Sequence, residues 1–131
     1  MTKPFHPLPA AGDIVWCRFP EEANKPASKM RPALVIAVSN STHEIEIAYG
    51  TTQKLNRIYP SEFALHPGDK GFTASGLSFA TKFDLGNTVK VPFDDMWFAP
   101  NPAGAPTAPP PKMGILHPSY TSAAQKAIQH T

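Results

Sequence analysis

The 131 residues hold a single cysteine, Cys17. No disulfide can form within the chain, and a reducing compartment, the cytoplasm, is the expected location. Neither a second cysteine nor a pair of histidines stands at metal-ligand spacing, so no structural zinc is expected and no cofactor is assigned. His6, His43, His66, His117 and His130 are scattered, and a lone loop histidine more often faces solvent than does chemistry. No apolar run is long enough to cross a bilayer. The opening MTKPFHPLPAAG is broken by prolines and lacks the apolar centre of a signal peptide. Charge is also scarce, at 17% of residues against 41% hydrophobic. The net charge of +2 neither marks nor excludes nucleic-acid binding, so any basic patch has to be local. The length suits one domain, residues 1–131, with a single core.

What is present centres on Lys29 to Lys54. Ala33 to Val38 is an unbroken apolar run, the pattern of a strand buried on both faces. Ile45, Ile47 and Tyr49 alternate with Glu44, Glu46 and Ala48, the period of a strand with one face inward. Ser39 to His43 reads as the hairpin connection. Antiparallel pairing then brings Arg31, at the start of one strand, near Thr51 and Thr52 at the end of the other. A guanidinium at a loop–strand junction is a rigid fork that matches a phosphate. Spacing alone favours the other reading, a surface arginine that ties down the preceding loop through Glu21 or Glu22. The two threonines suit a phosphate oxygen or the cap of a turn after Gly50. Arg18, Lys25, Lys29, Arg31, Lys54 and Arg57 cluster around these strands, as a ligand surface or as a solvated face.

Along the chain, residues 1–11 read as an extended, poorly ordered lead-in, and Ile14 to Phe19 as the first strand, ended by Pro20. The polar loop PEEANKPASKM is either a flap over the site or a plain loop. Lys54 to Tyr59 reads as a short strand, Ser61 to Leu65 as a strand or a turn, and His66-Pro67-Gly68-Asp69 as a turn. Phe79, Thr81, Phe83 and Leu85 alternate with Ala80, Lys82 and Asp84. As a strand this segment turns its aromatics, Phe79 and Phe83, to the core, and Lys82 and Asp84 share the other face about 7 Å apart. They form an acid–base pair or an outward ion pair of little worth. Gly86-Asn87 reads as a turn, Thr88 to Val91 as a strand, and Phe93 to Phe98 as an aromatic close. Residues 100–112 form a proline-rich, polyproline-type spacer. Beyond it a short strand at Gly114-Ile115-Leu116 precedes a helix over Ser119 to Gln129, with Tyr120, Ala124, Ala127 and Ile128 near one face. The sum is a small, mostly antiparallel β-barrel or half-barrel with a terminal helix.

Taken in series, GDIVWCRF, RPALVIAV, IEIAYGTTQK, GLSFATKFDLGNTVKV and GILHPSYTSAAQKAI resemble the MazF/PemK toxins of type II toxin-antitoxin systems, over nearly the whole chain from Gly12. The resemblance implies an SH3-like antiparallel barrel of the CcdB/PemK type with a C-terminal α-helix, acting as a homodimer with RNA across the dimer face. It implies a metal-independent endoribonuclease, an mRNA interferase, that cleaves single-stranded RNA by attack of a 2′-hydroxyl and leaves a 2′,3′-cyclic phosphate. The family arginine falls on Arg31 and the threonine ending the next strand on Thr51. The Arg-x-Asp pair of the PemK branch reads Lys82-Phe83-Asp84, and the flap histidine of some members is replaced by nearby Lys25. Arg31 would neutralise the phosphoryl oxygens, Thr51 position one of them, Asp84 act as base and Lys82 as a second cation. Lys25, Lys29, Thr52, Gln53, Lys54 and Arg57 would follow the RNA backbone. A cognate antitoxin is the implied protein partner, with no membrane and no direct DNA binding, since the 2′-hydroxyl is required. Two other readings remain on the same barrel: a catalytically silent RNA- or peptide-binding module, and a CcdB-like gyrase poison. The second is disfavoured by the C-terminus Ile-Gln-His-Thr.

Overall fold

The apolar run of residues 33–38 is buried on both faces only over Ala33, Leu34 and Val35. Beyond a register shift between Val35 and Ala37 the cover thins, with Ile36 and Val38 half-buried and Ala37 exposed. A computed structural model describes residues 2–21, 25–100 and 109–131. Among these lie β1 (Asp13–Cys17), β2 (Arg31–Ser39), β3 (Glu44–Thr51), β4 (Glu62–Leu65), β5 (Thr81–Pro92), β6 (Lys112–Ile115) and a helix, α1 (Thr121–Ile128). The strands make one sheet in the order β4-β5-β3-β2-β1-β6, with every neighbouring pair antiparallel. It is a half-barrel, with β4 and β6 as its two edges.

Alternate residues feed two apolar clusters. Ile14, Leu34, Ala48, Phe63 and Phe83 point to one, which Tyr120 and Ala127 complete. Val15, Cys17, Ala33, Val35, Ile45 and Ile47 point to the other, with Phe93, Trp97 and Phe98. Ala48, which sequence alternation puts on the outer face of its strand, is therefore as buried as Ile45 and Ile47.

Several expectations are corrected. Residues 54–59 form no strand: Lys54 is left-handed at φ 54°, and Arg57 N–H turns back to the Lys54 carbonyl at 3.2 Å. Gly86 and Asn87 make a bulge inside β5 instead of a turn. Ala48 pairs with Thr88 and Tyr49 with Asp84, leaving Leu85, Gly86 and Asn87 without counterparts on β3. Phe79 is 71% exposed because β5 begins only at Thr81. The lead-in is docked: Phe5 N–H donates to the Phe93 carbonyl at 3.0 Å, its ring lies 5.9 Å from that of Phe93, and Lys3 N–H reaches Asp95 at 2.8 Å. Within the spacer of residues 100–112, residues 101–108 lie outside the described residues, Pro111 is buried, and Lys112 already opens β6. Ile128 is exposed instead of facing the core.

An isolated helix as short as α1 is unstable in water, so it depends on docking. A 3-10 turn, Pro118–Tyr120, delivers it. Ser119 Oγ donates to the Lys70 carbonyl at 2.7 Å, and Tyr120 Oη donates to Asp69 Oδ2 at 2.9 Å. Burial, and then the bond to Asp69, push the Tyr120 phenol up to about 12. The His66 N–H and the Tyr120 hydroxyl hold the Asp69 carboxyl below its usual range.

The sign follows for both groups. The unfolded phenol ionises near pH 10, so its contribution is whole below pH 10 and lost as pH rises to about 12. The Asp69 contribution is present above its unfolded value of 3.8 and lost as pH falls through its lower folded value. Tyr120→Phe is expected to cost about 1 kcal/mol at pH 7 and to flatten the alkaline loss, read from urea midpoints between pH 9 and pH 12. An unchanged alkaline slope in the variant would remove Tyr120 from this role.

Candidate active site

Both faces of the sheet are apolar at its centre, and one group of its charged residues gathers at the end where β2 starts, β3 finishes and β5 starts. Register fixes who meets whom. Thr51 lies opposite Lys82, and Tyr49 lies opposite both Ala33 of β2 and Asp84 of β5. Asp84 lies opposite Glu62 on the far side. A cavity of about 690 Å³ opens here, and Arg31, Thr51, Lys82 and Asp84 all line it.

Arg31 is mostly covered, its side chain 14% exposed. Nη1 donates to the Tyr49 hydroxyl at 2.6 Å, and the guanidinium carbon stands 5.0 Å from the centre of the Tyr49 ring. The Tyr49 ring is held edge-on to Phe19 at 5.2 Å. Nη2 lies 3.6 Å from Glu21 Oε1, whose side chain is 69% exposed. Nε is buried without a partner among the described residues. Both readings of Arg31 therefore have a basis here: it ties Glu21 of the preceding loop, and it keeps donor capacity for an anion. Glu22 lies outside the described residues. An ion pair at that distance, with one partner in water, is weak, and an incoming oxyanion can displace it.

Thr51 is buried, and its Oγ1 accepts the Gln53 N–H at 3.1 Å. That is the capping role, and it uses the oxygen lone pair, leaving the hydroxyl proton for an acceptor in the cavity. Lys82 is 4% exposed. Its Nζ donates to Glu62 Oε1 at 3.0 Å and to the Arg57 carbonyl at 2.9 Å, and it faces the Tyr59 ring at 5.8 Å. Asp84 Oδ1 accepts from Ser61 Oγ at 2.8 Å and Gly86 N–H at 2.9 Å. No described residue donates to its Oδ2. Lys82 and Asp84 do share a face, but each is bonded to other partners, so they form no ion pair with one another. Cys17, opposite Arg31 in register, is no nucleophile, because burial pushes its thiol up.

Of the outer residues, Lys29, Thr52, Gln53 and Lys54 line the cavity. Lys25 lies apart, beside Glu21, Pro26 and Ala27. Arg57 contributes its carbonyl to Lys82 while its side chain stays exposed. Sequence reasoning missed Glu62, Tyr49 and the aromatic lining. The signal for Glu62 was there: if Phe63 and Leu65 face the core, Glu62 and Ala64 must face the other way. Among the described residues no three His, Cys, Asp or Glu side chains gather as metal ligands.

Comparison with known proteins adds the following. The model for PemK-like, MazF-like toxins of type II toxin-antitoxin systems matches residues 10–89, a segment that contains every cavity residue named above. A comparison with curated proteins finds no match. Among solved structures, an endoribonuclease from a mycobacterial species superposes with a TM-score of 0.55 at 16% identity, covering 95% of this chain and 90% of that one. At that identity the likeness is one of fold.

The Lys82–Glu62 pair gives a direct test of how the site is held. Glu62→Leu strands a buried ammonium and is expected to destabilise the protein by about 3 to 5 kcal/mol. Glu62→Leu combined with Lys82→Met removes both charges and should recover at least half of that loss in chemical denaturation. A double variant no more stable than the single one would show that the charges are not the issue.

Proposed function

The chain belongs to the PemK-like, MazF-like toxins of type II toxin-antitoxin systems, and from that membership we propose that it is an endoribonuclease cutting single-stranded RNA without a metal. The observation that carries the reading is the single cavity shared by Arg31, Thr51, Lys82 and Asp84, which arrive from three adjacent strands. Cleavage of RNA by its own 2′-hydroxyl needs a base at that hydroxyl and positive charge at the phosphoryl oxygens.

In this mechanism a phosphate displaces Glu21 and takes the guanidinium of Arg31. The Thr51 hydroxyl donates to one phosphoryl oxygen. The Oδ2 atom of Asp84 accepts the 2′-proton, the 2′-oxygen attacks phosphorus, and the 5′-oxygen leaves with a proton from solvent. A 2′,3′-cyclic phosphate remains. Lys82 supplies a fixed positive field from beneath, held by Glu62. Lys29 and Lys54 at the mouth attract the strand, and its binding weakens with salt. DNA is not a substrate, because it lacks the attacking group. The protein works as a homodimer, and a cognate antitoxin holds it in check by covering the same cleft.

The experiment is cleavage of a mixed-sequence single-stranded RNA in excess EDTA. Wild type should release fragments with cyclic-phosphate ends. Arg31→Ala should lose about 10²- to 10³-fold in kcat, and Asp84→Asn about 10²- to 10⁴-fold. Intact RNA with the wild type, at salt low enough for binding, would overturn the nuclease reading and leave a silent RNA-binding module.

A further inference from the structure

The cavity has a second half that the cleavage mechanism does not use. Beyond Arg31 its wall turns apolar, with Trp16 and Pro32 side by side in register on β1 and β2, Met113 of β6, and Leu77. Phe79 stands at the mouth, 71% exposed. It lies just ahead of β5, between buried Leu77 and buried Thr81. A phenyl ring left in water beside a cationic cleft is poor for solubility and good for stacking, because every base presents a π-face. The apolar wall is continuous with the phosphate-binding end, and Lys29 and Lys54 rim the same opening.

We propose that this half is a nucleobase site: an unpaired base of the RNA stacks on Phe79 and lodges against Trp16 and Met113, while its phosphate rests on Arg31. The site rests on the reading of the cavity as an RNA cleft, and it gives that cleft a reason to prefer single strands. A paired base cannot leave its helix to enter without the cost of unstacking. Phe79 touches the substrate away from the reacting atoms. It sets binding and register, while Arg31 and Asp84 perform the chemistry.

The test uses a 2′-O-methylated single-stranded RNA, which cannot be cleaved, carrying 2-aminopurine at successive positions. Wild type should bind it and quench the probe at one position through stacking. Phe79→Ala should bind at least about tenfold more weakly and lose the quench, with the slope of affinity against salt unchanged, because no ionic contact is removed. Phe79→Trp should restore both. Lys54→Ala should instead lower the salt slope. Because Phe79 lies outside the core, its replacement leaves the folded state intact, verified by an unchanged urea midpoint. If wild type binds the RNA and Phe79→Ala binds it within twofold, the base site is overturned and the RNA cleft stands. If wild type fails to bind at low salt, both are overturned.

Discussion

The pairing of β3 with β5 is the constraint on which the site depends. Thr51 opposite Lys82 and Tyr49 opposite Asp84 place polar groups on one face, while Gly50 opposite Phe83 keeps the other face apolar. A slip of one residue would turn Phe83 into the cavity and drive Lys82 among Phe63 and Leu65. An ammonium without a partner in that cluster is too costly to be tolerated, so the same apolar packing that builds the core also fixes the register of the charges. Gly50 contributes directly. A side chain there would collide with the Pro32 carbonyl and approach the Phe83 ring to 2.8 Å, so only glycine lets β3 close on both neighbours between Tyr49 and Thr51.

The two most covered cations of the cavity, Lys82 and Arg31, are held in different ways, which suits them to different work. Lys82 is nearly inaccessible and donates to a carboxylate and a carbonyl, so it is locked in place. In the proposed mechanism its value to a bound phosphate is electrostatic, exerted without any side-chain reorganisation. Arg31 has one short bond, a ring face beneath it and a weak, exposed carboxylate. Its planar fork is oriented by Tyr49 and is not saturated by the described residues. A lysine suits the buried position because three tetrahedral donors can meet two fixed acceptors. The arginine suits the half-open one because a fork held on an aromatic face keeps its other edge free.

Most of the strands, and the meeting of Arg31 with Thr51, were legible because they follow from local period and one short hairpin. The half-barrel with its terminal helix was legible for the same reason. What escaped depends on which strands become neighbours. Glu62 matters only because β4 lies beside β5, a placement that no local pattern reveals. Tyr49 looked like a core residue because it continues the alternation of Ile45 and Ile47. At the strand's end that face leaves the core, and the hydroxyl meets Arg31. Phe79 was misread in the opposite sense. It extends the alternation of Thr81, Phe83 and Leu85 backwards, past the point where the backbone is still paired. Periodicity shows which residues share a face but not where along the strand that face stops being covered.

The bulge in β5 shows how the same limit bears on the chemistry. Gly86 and Asn87 have the composition of a turn, and in an isolated hairpin they would make one. Here β3 continues past them, so Leu85, Gly86 and Asn87 are extruded while the pairing resumes at Thr88. Extrusion points the Gly86 N–H back at Asp84 Oδ1, where the Ser61 hydroxyl also donates. A Cβ at Gly86 would stand 3.3 Å from both oxygens and press on the carboxylate. Neutral donors thus fix one oxygen of Asp84, while Lys82, its nearest cation along the strand, is kept occupied by Glu62. Had those two residues paired with one another, the carboxylate would be spent on a lysine. Separate partners leave Asp84 lining the cavity with no described residue donating to its second oxygen, the state that the proposed proton acceptor needs before substrate arrives.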